Sequence, residues 1–278
     1  MSFPFNNLQN GTAHLTVEHV SGKSAVTSAF AGNPLKLLTP HSRGESVWAC
    51  TSSFGGGLVA GDQTRLELRI RKNARCFLGT QASTKIYRNA GLRPSGHITE
   101  AELEENSLLV FAPDPVQPFA NSNYSQRQEF HLASGAGLVL LDWFSSGRAA
   151  RGERWQFCQF RSRNEVFAEG KRIFLDSIFL DSSDGSLASP MRTGRYNCFA
   201  TLVLVGKPME AAVNRLLNNI SAKPIERKAV LVAAASPFHD GAVLRVTGET
   251  VETVGRELLR HLTFLSEFLG DEPWKRKW

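Results

Sequence analysis

Cysteine is scarce in this chain of 278 residues, and its four copies lie far apart at Cys50, Cys76, Cys158 and Cys198. No CxxC pair occurs, so the usual ligand spacing of a structural zinc site is absent. The N-terminal stretch MSFPFNNLQNG lacks a basic segment followed by an apolar run, which is the pattern of a secretory signal. We therefore expect reduced, buried thiols in a cytoplasmic protein.

Long apolar runs are also missing, and the excess of basic charge is small. No stretch approaches about 18 consecutive apolar residues, so the sequence predicts no membrane span. The formal net charge is +6, from 32 basic and 26 acidic residues. Arginines cluster between Arg148 and Arg163, but Glu153 interrupts the cluster. Because arginine is enriched at protein interfaces, we expect this surface to meet an acidic protein partner rather than nucleic acid.

The motifs of common enzyme classes are absent as well. There is no Gly-x-Ser-x-Gly nucleophile motif, and none of the seven histidines belongs to an HExxH motif. The most glycine-rich segment, GGGLVAGD at positions 55–62, has Asp62 where a Walker loop requires lysine. A dinucleotide-binding loop would continue into a helix, whereas Thr64–Ile70 alternates apolar and polar residues as a half-buried strand does. The sequence therefore predicts a protein that is not an enzyme.

Short strands separated by turn signals fill the first two thirds of the chain. The candidate strands are Ala13–Val20, Ala25–Ala31, Ser46–Ser52, Thr64–Ile70, Cys76–Thr80, Leu108–Phe111, Gln126–Leu132, Leu138–Phe144, Trp155–Arg161, Glu165–Ala168 and Arg172–Phe179. Turn signals such as Ser134-Gly135 and Glu169-Gly170 lie between them. No internal sequence repeat is evident. This pattern predicts a mainly β fold of stacked antiparallel or mixed sheets that resembles a sandwich.

The final third of the chain has a different pattern, with two helices expected. Apolar residues follow helical spacing from Met209 to Ile220 and again between Glu252 and Leu269. Thr250 is placed to cap the second helix, and Gly270 to end it. Two strands, Ala229–Ala235 and Ala242–Val246, lie between the helices. We predict a single domain over residues 1–278, in which a β-rich body at 1–205 is followed by a small α/β part at 206–278.

Several carboxylates occupy unusual places in this pattern. Asp62 closes the glycine segment, Asp142 and Asp176 interrupt apolar strands, and Glu153 follows an Arg-Gly pair. A buried carboxylate without a partner is costly, so each must have a neutralising group or lie on a hydrated path. One reading pairs these groups with arginines or turn backbone. The other gathers them around an interior space that suits a hard or borderline cation such as nickel.

Five segments together resemble the family of urease accessory proteins called UreD, or UreH in some organisms. In family order they are Gly55–Asp62 (GGGLVAGD), Thr80–Arg88 (TQASTKIYR), Phe111–Pro118 (FAPDPVQP), Asp142–Glu153 (DWFSSGRAARGE) and Arg163–Val166 (RNEV). They span roughly residues 50–180, and the similarity weakens in the C-terminal third. The resemblance implies a fold of stacked β-sheets with few helices.

The resemblance also implies a function. Members of the family are non-enzymatic chaperones that help to install nickel in urease. They bind the urease apoprotein and the accessory protein UreF, and UreF recruits the nickel-carrying GTPase UreG. A dimer of this accessory complex is a further expectation. No tightly bound cofactor is expected, and nickel is a transient cargo that an internal, water-filled passage is thought to lead towards the urease active site.

By matching motif positions, the resemblance implies Asp62, Asp142 and Asp176 as residues of this nickel passage, followed by Glu153, Ser83 and Thr84. Carboxylates, hydroxyls and waters bind nickel more weakly than histidine or thiolate clusters, as release of the cargo requires. Two other functions stay open at this stage. One is a β-sandwich hydrolase that uses paired carboxylates as acid and base. The other is an interaction module that needs no metal.

Overall fold

The structure is a computed structural model that describes residues 10–276. In chain order its strands are β1 (Thr12–Val20), β2 (Lys23–Ala31), β3 (Leu35–Leu38), β4 (Val47–Ser53), β5 (Gly57–Leu58), β6 (Gln63–Ile70), β7 (Arg75–Thr80), β8 (Thr84–Ile86), β9 (Ser95–Leu103), β10 (Leu108–Phe111), β11 (Val116–Pro118), β12 (Asn123–Leu132), β13 (Gly137–Ser145), β14 (Gln159–Ala168), β15 (Lys171–Asp181), β16 (Cys198–Val205), β17 (Leu231–Phe238) and β18 (Gly241–Gly248). The α-helices are α1 (Glu210–Ser221), α2 (Val251–Leu262) and α3 (Leu265–Leu269). Strands therefore dominate, as the alternating pattern predicts.

Two mixed sheets face each other. The seven-stranded sheet has the order β15-β14-β12-β9-β6-β1-β2. The eleven-stranded sheet has the main order β17-β18-β16-β13-β10-β7-β4-β3, with the short strands β5, β8 and β11 attached through β13. Apolar side chains from both sheets meet in one buried cluster that includes Leu68, Leu140 and Phe130. The two sheets thus enclose a common interior.

The chain winds through the two sheets as a coil with three strands in each turn. The turns are β4-β5-β6, β7-β8-β9 and β10-β11-β12, and each strand pairs in parallel with its counterpart one turn later. β13 and β14 continue the coil by pairing in parallel with β10 and β12. Antiparallel pairs occur towards the sheet edges, for example β1 with β2 and β14 with β15. A structural repeat therefore exists without a sequence repeat.

The prediction of a mainly β, sandwich-like fold with mixed sheets is confirmed, but individual elements differ. The sheets contain both parallel and antiparallel pairs, because many connections carry the chain from one sheet to the other instead of closing a hairpin. The predicted strands Trp155–Arg161 and Glu165–Ala168 form one strand, β14, which begins only at Gln159. The pattern missed β3, β5, β8, β9, β11 and β16. Trp155 and Phe157 alternate because they fill a buried aromatic cluster from a loop.

Helices cover the outer face of the eleven-stranded sheet, where a second buried cluster joins strand residues such as Leu202 to Leu216 and Leu258. The Oγ atom of Thr250 accepts a hydrogen bond from the backbone N–H of Thr253, so the predicted cap is confirmed. The predicted second helix is divided into α2 and α3, and left-handed Gly270 follows α3. Between residues 10 and 276, no helix is long and apolar enough to cross a membrane.

Candidate functional site

A layer of polar side chains crosses the interior between the facing sheets. Along the inner face of β12, apolar Phe130 is followed by Gln128 and Gln126 and then by aromatic Tyr124, because alternate residues of a strand share a face. The neighbouring strand β14 repeats this order with Val166, Asn164, Ser162 and Phe160. The polar layer comprises Thr64, His97, Thr99, Gln126, Gln128, Ser162, Asn164 and Asp176 from the seven-stranded sheet, and Thr51, Thr80, Asp142 and Thr201 from the eleven-stranded sheet.

Register brings these residues together. Gln126 pairs with His97 on one neighbouring strand and with Ser162 on the other. Each of the three comes from a different turn of the coil, so positions far apart in sequence form one row across the sheet. An apolar cluster lies on one side of the polar layer and an aromatic one on the other. The polar layer is therefore surrounded by apolar and aromatic side chains of the core.

Asp142 lies at the centre of this layer, and only 6% of its surface is exposed. Its Oδ1 accepts a hydrogen bond from Gln126 Nε2 at 2.7 Å. Its Oδ2 accepts hydrogen bonds from Ser162 Oγ at 2.6 Å and from Asn164 Nδ2 at 2.7 Å. Burial raises the pKa of the Asp142 carboxyl, these hydrogen bonds oppose the rise, and the nearby charge of Asp176 adds to it.

His97 contributes a neutral ring to the same layer. Its Nδ1 lies 2.7 Å from Thr64 Oγ1, and its Nε2 lies 3.1 Å from Thr99 Oγ1. Burial lowers the pKa of the imidazole to about 4, so the ring carries no charge at neutral pH. The ring nevertheless keeps some accessible surface, because it lines an internal cavity. Its neutral form leaves this part of the cavity free of fixed positive charge.

The cavity beside this layer has a volume of about 100 Å³. At about 10–15 Å³ for each water-sized sphere, it has room for several water molecules. One end is lined by exposed residues such as Gly56 and Ala82, and the other by buried Gln128 and Asp142. Ser83 and Thr84, which follow Ala82 in the chain, also line the cavity. The cavity therefore leads from the surface to the buried carboxylate.

Beyond the cavity the polar layer continues to the opposite side of the fold. Asn164 pairs in register with Asp176, and Thr201 pairs with Asp142. Thr201 Oγ1 donates to Asp176 Oδ2 at 3.2 Å, and Arg245 donates to Asp176 Oδ1 at 2.8 Å. The Arg245 side chain is 54% exposed, whereas that of Asp176 is 9% exposed. The layer thus ends at an arginine on the surface.

The residues that the family resemblance implies for a passage occupy three settings. Asp142, Asp176, Ser83 and Thr84 lie in the polar layer or line its cavity. Asp62 lies in the turn before β6, where its Oδ2 accepts the backbone N–H of Val59 at 2.8 Å. It does not belong to the cavity lining.

Glu153 lies in a third setting, on the loop between β13 and β14. It forms an ion pair with Arg148, and this contact lowers the pKa of its carboxyl. The backbone N–H of Ala120 also reaches Glu153 Oε2 at 3.4 Å. Arg148 stacks on the ring of Phe119, so this loop contacts the segment after β11 through both members of the ion pair.

Sequence reasoning missed His97, Gln126, Gln128, Asn164 and Thr201. The sequence does contain a signal for two of them. Gln126 and Gln128 alternate in step with the apolar residues of a predicted strand, so they occupy positions that face the core. His97 lies on β9, a strand that the alternation of side chains does not predict. Among residues 10–276, no three His, Cys, Asp or Glu side chains are grouped closely enough to hold a metal ion.

The glycine segment supports the outer part of the cavity. Gly55 and Gly56 adopt left-handed φ angles of 76° and 71°, which glycine tolerates best. Gly57 is extended, but a Cβ atom there would lie 2.4 Å from the carbonyl oxygen of Lys85. The backbone of β5 therefore approaches β8 more closely than any side chain would allow.

Comparisons with known proteins find relatives that match nearly the whole chain. The family described as UreD urease accessory protein matches residues 9–278. A urease accessory protein UreD of Sorangium cellulosum is 45% identical over 269 residues, covering 96% of this chain and 84% of the relative. A UreD of Anaeromyxobacter is 38% identical, with 98% and 91% covered. Urease accessory protein D of Arabidopsis thaliana is 33% identical, with 95% and 99% covered.

Proposed function

The chain belongs to the UreD family of urease accessory proteins, and from this membership we propose that it is a non-enzymatic chaperone that helps to insert nickel into urease. Its partners in this proposal are the urease apoprotein and UreF, with UreG recruited through UreF, and two copies of the accessory complex form a dimer. Nickel is the cargo and is not a resident cofactor. The proposed site of action is the cytoplasm.

The polar layer is the observation that carries the proposed mechanism. A cation that moves through an apolar core needs oxygen ligands to replace its hydration shell, because desolvation of a bare charge is prohibitively costly. The cavity supplies space for waters, and the layer supplies hydroxyl, amide and carboxylate oxygens in series. Hard and borderline cations accept such ligands. In this proposal Asp142 and Asp176 are the two points of negative charge along the path.

Weak ligation favours transfer over storage. Asp142 is surrounded by three neutral hydrogen-bond donors, Gln126, Ser162 and Asn164. A passing cation would replace these donors only briefly, since each can return to the carboxylate once the cation has left. Ser83 and Thr84 add neutral oxygens near the open end of the cavity. Passage roles for Asp62 and Glu153 remain predictions that substitution would test.

Co-expression of this chain with its matched urease and the other accessory proteins tests the proposal. We expect omission of this chain to leave urease assembled but poor in nickel and inactive. The measurements are the metal content of purified urease and the rate of urea hydrolysis. A premature stop codon in the gene for this chain provides the omission, and the same vector with the intact gene is the matched control. Unchanged nickel loading without the chain would contradict the proposed function.

A further inference from the structure

The two facing sheets end at different places, and this leaves one edge of the polar layer uncovered. The seven-stranded sheet ends at β15, whereas the eleven-stranded sheet extends past β16 to β18 and β17. Asp142, Thr201, Arg245 and Ala234 are consecutive partners in one row of the larger sheet. The first two are buried, and Arg245 and Ala234 are exposed. The polar row therefore emerges from the core between Thr201 and Arg245.

Arg245 occupies the position where a cation at this edge would meet its last carboxylate. Its guanidinium nitrogen lies 2.8 Å from Asp176 Oδ1, while the other oxygen of Asp176 accepts from Thr201. Both carboxylate oxygens are therefore engaged. A fixed positive charge at this distance also repels any cation that approaches the carboxylate from either side.

We propose that Arg245 is a gate that closes the polar layer to cations in the free chain and opens when a carboxylate of the docked protein partner takes its guanidinium. This gate rests on the proposed function, in which the layer conducts nickel. The surroundings suit such an exchange, because Ala234 and Ser236, the neighbouring residues on the inner face of β17, are exposed and uncharged. Arginine binds planar carboxylates well, and a partner's acidic group can compete with Asp176 for the exposed half of the side chain.

The gate explains why a path for Ni²⁺ ends at a positively charged side chain, that of Arg245. When Arg245 turns to a partner carboxylate, Asp176 gains a free negative charge at the moment when the receiving surface is in place. Before docking, the ion pair keeps the Asp176 carboxylate neutralised and unavailable. Release of cargo at this edge then depends on assembly of the complex.

Calorimetric titration of the full chain with Ni²⁺ tests the gate directly. We expect Arg245→Gln to tighten the apparent Kd for Ni²⁺ by about tenfold, because it removes one positive charge beside a carboxylate. Adding Asp176→Asn to that variant should return the Kd to the wild-type value. Arg161→Gln is the matched control, because Arg161 is an exposed arginine of β14 that stacks on Phe179 and does not belong to the polar layer. The gate would be overturned by an unchanged Kd for Arg245→Gln. It would also be overturned if the double variant with Asp176→Asn still bound Ni²⁺ more tightly than the wild type.

A second measurement separates the gate from the proposed function. In the co-expression assay, Arg245→Gln should lower the nickel content of urease less than Asp142→Asn does, because it removes one contact with the partner but leaves the path open. A loss in a folded Arg245→Gln chain as large as that in Asp142→Asn would make Arg245 part of the path and overturn the gate. If Asp142→Asn has no effect, the conducting role fails, and the Ni²⁺ titration alone decides whether Arg245 excludes cations from Asp176. Arg245→Met repeats both measurements if the glutamine variant folds poorly.

Discussion

Gln126 and Asp142 are joined by a hydrogen bond of 2.7 Å that crosses the interior from one sheet to the other. Gln126 belongs to β12 in the seven-stranded sheet, and Asp142 belongs to β13 in the eleven-stranded sheet. A polar contact between two sheet faces is expensive to bury unless every group is satisfied. Here the Tyr124 hydroxyl donates to Oε1 of Gln126, and Ser162 and Asn164 donate to Asp142. This centre is the basis for the predictions that follow.

Removal of the central carboxylate should interrupt nickel delivery. We expect Asp142→Asn to lower the nickel content of co-expressed urease several-fold, because the amide keeps the shape of the side chain but loses its charge. Urease nickel, determined on the purified enzyme, is the measurement. Asp240→Asn is the matched control, since Asp240 is exposed in a hairpin turn. Normal nickel content in a folded Asp142→Asn chain would contradict the path.

The same assay tests the other carboxylates that the family resemblance implies. We expect Asp176→Asn to lower urease nickel as Asp142→Asn does. An equal loss with Asp62→Asn would assign Asp62 to the path as well. Wild-type nickel for Asp62→Asn, together with a lower melting temperature, would instead identify its carboxylate as a turn cap. Co-purification of the partners shows in each case whether the complex remains assembled.

The raised pKa of Asp142 predicts a pH dependence of stability. The folded state holds the Asp142 proton more tightly than the unfolded chain, whose aspartates titrate near pH 4. This carboxyl therefore contributes stability below about pH 4 and loses that contribution as pH rises through the raised pKa. Urea unfolding over a pH series should show the wild type losing stability relative to Asp142→Asn as pH rises. A difference that is independent of pH would refute this expectation.

For Glu165, on the outer face of the seven-stranded sheet, we expect the opposite dependence of stability on pH. Hydrogen bonds from Arg163 chiefly, and from Arg172, lower the pKa of Glu165 to about 2. The stabilisation is thus complete above the usual pKa of about 4.3 for glutamate and disappears as pH falls towards 2. We expect Glu165→Gln to lower the melting temperature at neutral pH by about 2–4 °C.

The difference in melting temperature between wild type and Glu165→Gln should then become smaller as the pH falls from 5 to 2. Scans of thermal unfolding measure this difference. Glu129→Gln is a neighbouring comparison, because Glu129 pairs with Glu165 in register and contacts Arg127. If the difference became larger on acidification instead, the attribution to the Glu165 ion pairs would be wrong.

The glycine segment predicts a contrast between adjacent positions. Gly57→Ala should destabilise the fold strongly, because its Cβ would overlap the carbonyl oxygen of Lys85 at 2.4 Å. Gly56→Ala meets nothing within 4 Å, so only left-handed strain of about 1–2 kcal/mol applies. Free energies of unfolding from urea titrations measure both changes. Equal losses at the two positions would show that β5 and β8 can separate without penalty.

Much of the fold could be predicted because local pattern encodes local structure. Leu66, Leu68 and Ile70 alternate with charged residues, and the strand β6 follows that alternation. Thr250 has the chemistry of a cap and acts as one. The prediction was wrong at Trp155, whose alternation with Phe157 reflects packing of aromatic rings from a loop. It missed β16, which is buried along nearly its whole length and therefore shows no alternation.

The sequence by itself determined which residues carry unusual chemistry and which family they belong to. Asp142 and Asp176 stand out as carboxylates inside apolar strands, and five ordered segments identify the family. Only the tertiary structure decided that these two carboxylates share one layer and that Arg245, 69 residues from Asp176 in the chain, donates a hydrogen bond to Asp176 at its edge. The reason is register. Parallel strands from successive turns of a coil are aligned by the connections between the sheets, and that alignment leaves no trace in the local alternation of side chains.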